Sequence, residues 1–251
     1  MNLSVSYNRI KCAECFGEIY IGYEAVVDMN DSRADFLKAI YEESVDKDDH
    51  VATNKALTIR LNVSPASISE MAAKLCDLGL VETIPYKGCR LTELGMDECI
   101  QIIRSHRLWE VFLIRHLNFT WREAHDDAHL LEHATTERLL DRLDEFLEYP
   151  KFCPHGSAIP QKQQSSLVRE DLTKLSDAKV DSEVTIAKVG EDGKLLDYLW
   201  GIGLEIGKDV KIIAKGDYEG PIELIQGDKK MSISYKAATQ IFVREILKLI
   251  K

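Results

Sequence analysis

The chain has 251 residues, 45% hydrophobic and 29% charged, enough apolar material for packed cores in two or three small domains and too much for wholesale disorder. No stretch approaches the ~18 uninterrupted apolar residues of a membrane span, and the N-terminus lacks a secretory signal, so a cytoplasmic protein with its six cysteines reduced is expected. The net charge of −10 argues against nonspecific polyanion binding, but it is uneven: residues 55–90 carry five basic and three acidic side chains, whereas residues 91–150 carry six arginines against thirteen acids.

Residues 1–30 read as a loose leader, with Cys12-Ala13-Glu14-Cys15 lacking the second pair that a zinc knuckle needs and with Met29 as an alternative start. From Ser32 the pattern sharpens. Ser32-Arg33-Ala34-Asp35 resembles a capping box, and Phe36, Leu37, Ile40 and Tyr41 follow at helical spacing. A second short helix is expected over 51–61, with Ala52, Ala56, Leu57 and Leu61 inward. Ser64-Pro65, an N-cap followed by proline at the first helical position, opens a third helix through Leu78, which Gly79 ends. Residues 80–84 and 89–92 around Pro85-Tyr86-Lys87-Gly88 then read as strand, turn, strand. Together these predict a winged helix-turn-helix over 31–92.

A long helix is expected from Glu93 to His116, then helices over 121–135 and 136–147. Apolar stripes such as Leu108, Val111, Phe112 and Leu139, Leu143, Phe146 suggest a dimer face. This all-helical unit spans 93–156, followed by a polar linker over 157–170. From residue 171 the apolar period becomes two. Five short strands around 184–189, 210–213, 222–225, 230–233 and 241–243, with one helix over 195–201, predict a small SH3-like barrel. The fold class is thus α+β in three units.

Six of the seven histidines fall between 106 and 155. His106 and Glu110 are four apart, and so are His125, His129 and His133, with Glu132 beside the last; i, i+4 residues share a helix face. Imidazole and carboxylate together suit Mn(II), Fe(II), Co(II) or Zn(II). Cys153 and His155 add a sulfur and a nitrogen ligand in a loop, and Asp35 could reach across from the first helix. Each of these has an ordinary reading as well, a solvated helical histidine or a capping aspartate; His50 and His116 have no partner at metal spacing.

Several motifs in order carry a resemblance to the diphtheria toxin repressor family, in its manganese- and iron-sensing streptococcal-type branch: Asp35-Phe36-Leu37-Lys38-Ala39-Ile40-Tyr41-Glu42, Val63-Ser64-Pro65-Ala66-Ser67-Ile68-Ser69-Glu70-Met71, His106-Arg107-Leu108-Trp109-Glu110, His125-Asp126-Asp127-Ala128-His129-Leu130-Leu131-Glu132-His133 and Cys153-Pro154-His155-Gly156. The last unit is similar to the ferrous-iron transport protein A domain. The resemblance implies a metal-dependent repressor, a homodimer that binds double-stranded operator DNA and controls metal uptake, with no membrane partner, no small-molecule substrate and no catalysis. It implies two metal sites per subunit. The primary one would use Asp35, His129, Glu132 and His133, and the ancillary one His106, Glu110 and His125 with an acid from the barrel, Glu191 or Asp192. Which site takes Cys153 and His155 stays open. Mn(II) is favoured by Asp35, Fe(II) or Zn(II) by His129, where relatives usually carry Glu or Cys. At Lys38, members with a binuclear manganese site carry an acid, so that arrangement is not expected. Ser64, Pro65, Ser67 and Glu70 would face bases, and Lys55, Arg60, Lys74 and Lys87 would contact phosphates.

Two other readings are open. His125-Asp126-x-x-His129 is one carboxylate homologue away from H-E-x-x-H, which would make a zinc-type metallohydrolase. A winged-helix regulator sensing an organic ligand or redox state through its cysteines is the other.

Overall fold

The structure is a computed structural model, and it describes residues 29–45, 47–162, 164 and 171–246. The expected leader, with Cys12 and Cys15, lies outside them. Three units follow one another along the chain.

The first is the winged helix-turn-helix. It is built from α1 (Met29–Ser44), α2 (Asn54–Leu61), α3 (Pro65–Asp77), β1 (Val81–Ile84) and β2 (Gly88–Leu91). Helix ends follow local chemistry. Thr53 accepts a hydrogen bond from the Ala56 amide at the start of α2, and Asn62 closes it in the left-handed region. Ser64 caps α3, with Pro65 in its first turn. Phe36, Leu37 and Ile40 of α1 pack with Leu57, Ile68, Ala72, Leu75 and Val81 in one core.

Two expectations are corrected here. Helix α1 already runs at Ser32, so the Ser32–Asp35 capping box does not form, and Asp35 is mid-helix. The segment expected to begin α2 is extended instead: Ala52 exchanges backbone hydrogen bonds of 2.9 and 3.0 Å with Cys89 of β2. Burial of Val51 and Ala52 against the wing mimics a helical stripe in the sequence. Gly88 permits this approach, because a Cβ there would overlap the Ala52 carbonyl.

The second unit hangs on α4 (Glu93–Leu117), with α5 (Trp121–Ala134) and α6 (Glu137–Phe146). At 25 residues α4 is ~37 Å long. Its first half puts Cys99 and Ile103 into the winged-helix core, and its second half puts Leu108 and Val111 against Leu140 and Leu143 of α6. Thr120 and Glu123 form a reciprocal capping box on α5. Of the expected dimer stripes, Leu108, Val111 and Leu143 are used inside the subunit, while Leu139 and Phe146 stay exposed. The start of the expected linker is packed: Ser157 and Ile159 are buried, and Phe152 bridges to Ala158.

The third unit is the SH3-like domain. It comprises β3 (Thr173–Lys174), β4 (Glu183–Val189), α7 (Gly193–Ile202), β5 (Asp209–Lys215), β6 (Ile222–Gln226), β7 (Lys229–Ile233), α8 (Tyr235–Ala238) and β8 (Ile241–Glu245). All strand pairs are antiparallel in the order β3-β8-β4-β5-β6-β7. The five expected strands are present, and β3 adds a sixth. The domain docks on the Cys153–Gly156 loop: the Val189 amide donates to the His155 carbonyl at 3.0 Å, and Trp121 of α5 joins the sheet's core. Gly156 sits at φ +86, where a Cβ would overlap the Ala187 carbonyl.

Gly156→Ala is therefore expected to lower stability by ~1–3 kcal/mol through strain and overpacking at this joint, read as a shift of the urea unfolding midpoint. An unchanged midpoint would show that the joint yields freely.

Candidate metal centre and DNA-facing surface

Ligand-type side chains converge in three groups, each with one donor atom per residue within 4.8 Å of the others: Asp35, His129, Glu132 and His133; His106, Glu110 and His125; Glu110, Cys153 and His155. Four residues along a helix advance ~40° beyond a full turn. The three α5 histidines therefore do not stay on one line. His125 turns toward α4, where its Nδ1 lies 3.1 Å from Glu110 Oε1 and 3.1 Å from His106 Nε2. His129 and His133 turn toward α1, with Nε2 atoms 3.7 and 3.8 Å from Asp35 Oδ1. One helix thus serves two centres.

The two centres meet at His106. Its Nδ1 is 2.6 Å from Glu132 Oε2 and its Nε2 is 3.0 Å from Glu110 Oε1. Both carboxylates are fully out of solvent. Burial alone would drive protons off the imidazole and onto the acids. The opposite charges prevail. Burial disfavours the His106 cation, but Glu110 and Glu132 hold its pKa up at about 9. Burial likewise works against Glu110, and the surrounding His155 and His106 keep it well below the usual carboxylate range. Glu132 is depressed against burial by hydrogen bonds from His106 and His129 and by the charge of Lys38.

In the sequence Lys38 stands out only as a departure from the resemblance. It stands three residues after Asp35 on α1, and its Nζ donates to Glu132 Oε1 and Oε2 at 2.8 and 3.1 Å. Spacing on the same helix face as Asp35 was the signal available for it.

The loop ligands reach the α4 carboxylate. His155, fully buried, has Nδ1 3.0 Å from Glu110 Oε1 but out of line for a hydrogen bond, so both its ring nitrogens and Glu110 Oε2 lack hydrogen-bond partners among the described residues. Burial pushes the Cys153 thiol well above its ordinary pKa, and Glu110 adds to the shift. Unmet buried acceptors cost free energy, and a divalent cation would take up the Glu110 Oε2 lone pair and that of one His155 nitrogen while favouring the thiolate. The residues therefore fit a metal ion.

The two candidate acids of the barrel differ. Glu191 is half-buried, accepts from Ser157 Oγ at 3.3 Å, and feels both Glu110 and the His106 and His125 rings. Asp192 is exposed and caps α7, accepting from the Lys194 and Leu195 amides at 3.1 Å. The structure brings Glu191, not Asp192, toward the ligands.

The H-E-x-x-H-like reading fails geometrically. His125 and His129 belong to different groups, and the intervening Asp126 is exposed and paired with Arg122.

In the winged-helix unit, the N-cap Ser64 and, on α3, Pro65, Ser67, Glu70 and Lys74 are all exposed. Ser64 Oγ is 2.9 Å from Ser67 Oγ, and Glu70 pairs with Lys74 at 2.9 Å. Lys55 is exposed on α2. Arg60 pairs with Glu42 and Glu43 of α1, and Lys87 at the wing tip pairs with Asp49 at 3.3 Å. Arg60, Lys74 and Lys87 thus each hold an acid that a phosphate would have to replace.

Comparisons with known proteins find a matching family for each of the three units. Residues 28–89 match "Iron dependent repressor, N-terminal DNA binding domain", residues 92–161 match "Iron dependent repressor, metal binding and dimerisation domain", and residues 173–245 match "FeoA domain". The chain belongs to the iron-dependent repressor family. It is 34% identical over 120 residues, 48% of this chain and 95% of the relative, to an uncharacterized HTH-type transcriptional regulator of Methanocaldococcus jannaschii. It is 26% identical over 196 residues, 74% of this chain and 85% of the relative, to the diphtheria toxin repressor of Corynebacterium glutamicum. Its fold is similar to that of a manganese-dependent transcriptional repressor solved in complex with manganese, with a TM-score of 0.76 at 30% identity over 85% of this chain and 100% of that one. As a member of the iron-dependent repressor family, the chain is a metal-dependent DNA-binding transcriptional regulator.

The two acids of the barrel give a direct contrast. Asp192→Ala is expected to cost ~1 kcal/mol as a lost helix cap and to leave metal stoichiometry unchanged by equilibrium dialysis. Glu191→Ala is expected to weaken metal binding at the Glu110 centre. Loss of metal in the Asp192 variant would reverse the assignment.

Proposed function

We propose that this chain is a manganese-responsive repressor of metal-uptake genes, acting in the cytoplasm as a homodimer on double-stranded operator DNA and not as an enzyme. The observation that carries the reading is the placement of Asp35. It stands on α1, whose Phe36, Leu37 and Ile40 form the core of the DNA-binding unit, yet its carboxylate meets His129 and His133 of α5.

The site at Asp35, His129, Glu132 and His133 holds the primary ion. Two carboxylates and two imidazoles make a set that suits Mn(II), with Fe(II) and Zn(II) as competitors. The second site uses Glu110 with His106, His125, Cys153, His155 and Glu191; its thiol draws it toward softer ions. When bound, a divalent ion supplies a cross-link between its ligands. Asp35 then fixes α1, and through its core the recognition helix α3, against α5. His106 holds Glu132 in place through Nδ1 while its Nε2 faces the second site, so the two sites share one imidazole. Exposed Leu139 and Phe146 support pairing of two subunits, which presents two α3 helices to successive half-sites. Selective stabilisation of the DNA-competent arrangement is what makes the ion a co-repressor. On α3, Ser64, Pro65, Ser67 and Glu70 read base edges, and Lys55, Arg60, Lys74 and Lys87 exchange acid partners for phosphates. The unit boundaries follow the sequence reading, with 31–92 for DNA, 93–156 for metal and dimerisation and 171–251 for the SH3-like domain.

Fluorescence anisotropy on promoter DNA of the host's metal-transporter genes tests this. Mn(II) is expected to tighten binding by tenfold or more, on the scale of ordinary allosteric coupling of about 5–150-fold. A chelator should reverse the effect, and His133→Ala should abolish it. Binding indifferent to Mn(II), Fe(II), Zn(II) and chelator would sink the proposal.

A further inference from the structure

Glu132 is the hinge of the primary site, and both of its oxygens are already engaged. Oε2 meets His106, and Oε1 accepts from the Lys38 ammonium at 2.8 Å. Oε1 is also the atom that faces the other ligands, 3.4 Å from His129 Nδ1 and 3.9 Å from His133 Nε2. Lys38 therefore stands on the same carboxylate oxygen that a metal ion at this site would use. Its side chain is only 16% exposed and that of Glu132 is fully buried, so their charges are weakly screened. Like Asp35, Lys38 belongs to α1, whereas Glu132 belongs to α5. The ion pair therefore crosses between the DNA-binding and helical units.

We infer that Lys38 is a tethered cation that competes with the metal ion for Glu132, compensates the buried carboxylate when no metal is bound, and sets the metal concentration at which the switch responds. This rests on the sensor reading above.

The physical argument has two parts. A divalent ion on Glu132 Oε1 would stand beside the ammonium, and like charges a few ångströms apart in a poorly solvated site repel strongly. Binding must displace Lys38, whose four-carbon stem lets the ammonium swing to water. The apparent metal affinity is thereby reduced by the strength of the Lys38–Glu132 pair. Without metal, the same pair supplies the positive charge that buried Glu132 needs, so loss of the ion leaves the carboxylate compensated.

The test measures Mn(II) affinity of the full chain by competition with a fluorescent chelator, together with thermal unfolding of the metal-free and Mn(II)-saturated protein. Wild type is compared with Lys38→Met, which keeps the length without the charge, with Lys38→Gln, and with Lys38→Arg, which keeps the charge. Lys38→Met and Lys38→Gln are expected to bind Mn(II) roughly tenfold or more tightly than wild type, and to bind promoter DNA at correspondingly lower Mn(II). Lys38→Arg should stay within about threefold of wild type, because the charge is kept. The neutral variants should melt lower than wild type without metal and level with it when saturated. Circular dichroism checks that they fold, and either neutral variant alone suffices. Unchanged or weaker Mn(II) binding in a folded neutral variant overturns the inference while leaving the sensor reading intact. Tighter Mn(II) binding with DNA affinity indifferent to metal supports the competition and overturns the sensor reading. Failure of wild type and variants alike to bind Mn(II) or Zn(II) overturns both.

Discussion

Two carboxylates, Glu110 and Glu132, are buried in the helical unit with a single imidazole between them. A buried carboxylate stays ionised only when positive charge and donors surround it. His106 serves both acids at once, and His125, His155 and Lys38 complete the set. Much of the architecture follows from the need to bring these groups to one place. Helix α4 supplies His106 and Glu110, α5 supplies His125 and Glu132, α1 reaches over with Lys38, and the loop after α6 turns back to deliver His155.

That arrangement joins the units through charge as well as through apolar packing. Helix α4 belongs to two cores, so the winged helix and the helical unit share a rigid strut. The contacts of α1 with α5 are of another kind. Among the described residues they include Asp35 near His129 and His133, and Lys38 on Glu132. A joint held by ionic contacts responds to ions, whereas one held by interdigitated side chains would not. The SH3-like domain is tied to the same place, because the His155 carbonyl is held by the Val189 amide and Glu191 follows two residues later.

Much of this was legible in the chain. Cap residues and apolar periods gave α3, α4, α5, α6 and the strands of the SH3-like domain nearly to their ends, because those signals are local. The ligand residue types and their i, i+4 spacing were equally readable. The errors share a cause. Val51 and Ala52 look helical because they are buried, but they are buried against Cys89 of the wing, thirty-seven residues on. Ser32 looks like a cap because its composition fits one, yet α1 continues through it.

What the sequence determined by itself is therefore the set of parts: a winged helix, a helical unit rich in ligands, and a β-domain, each specified by interactions within a few turns or one hairpin. Only the tertiary structure decided how the ligands are shared. The twist of α5 sends His125 to one centre and His129 and His133 to the other, Asp192 is spent on capping α7 while Glu191 feels the charges of Glu110, His106 and His125, and Lys38 crosses to Glu132, ninety-four residues away. Partners that meet only after three units pack leave no periodic mark on the chain, since each is fixed by the placement of another element and not by its neighbours in sequence.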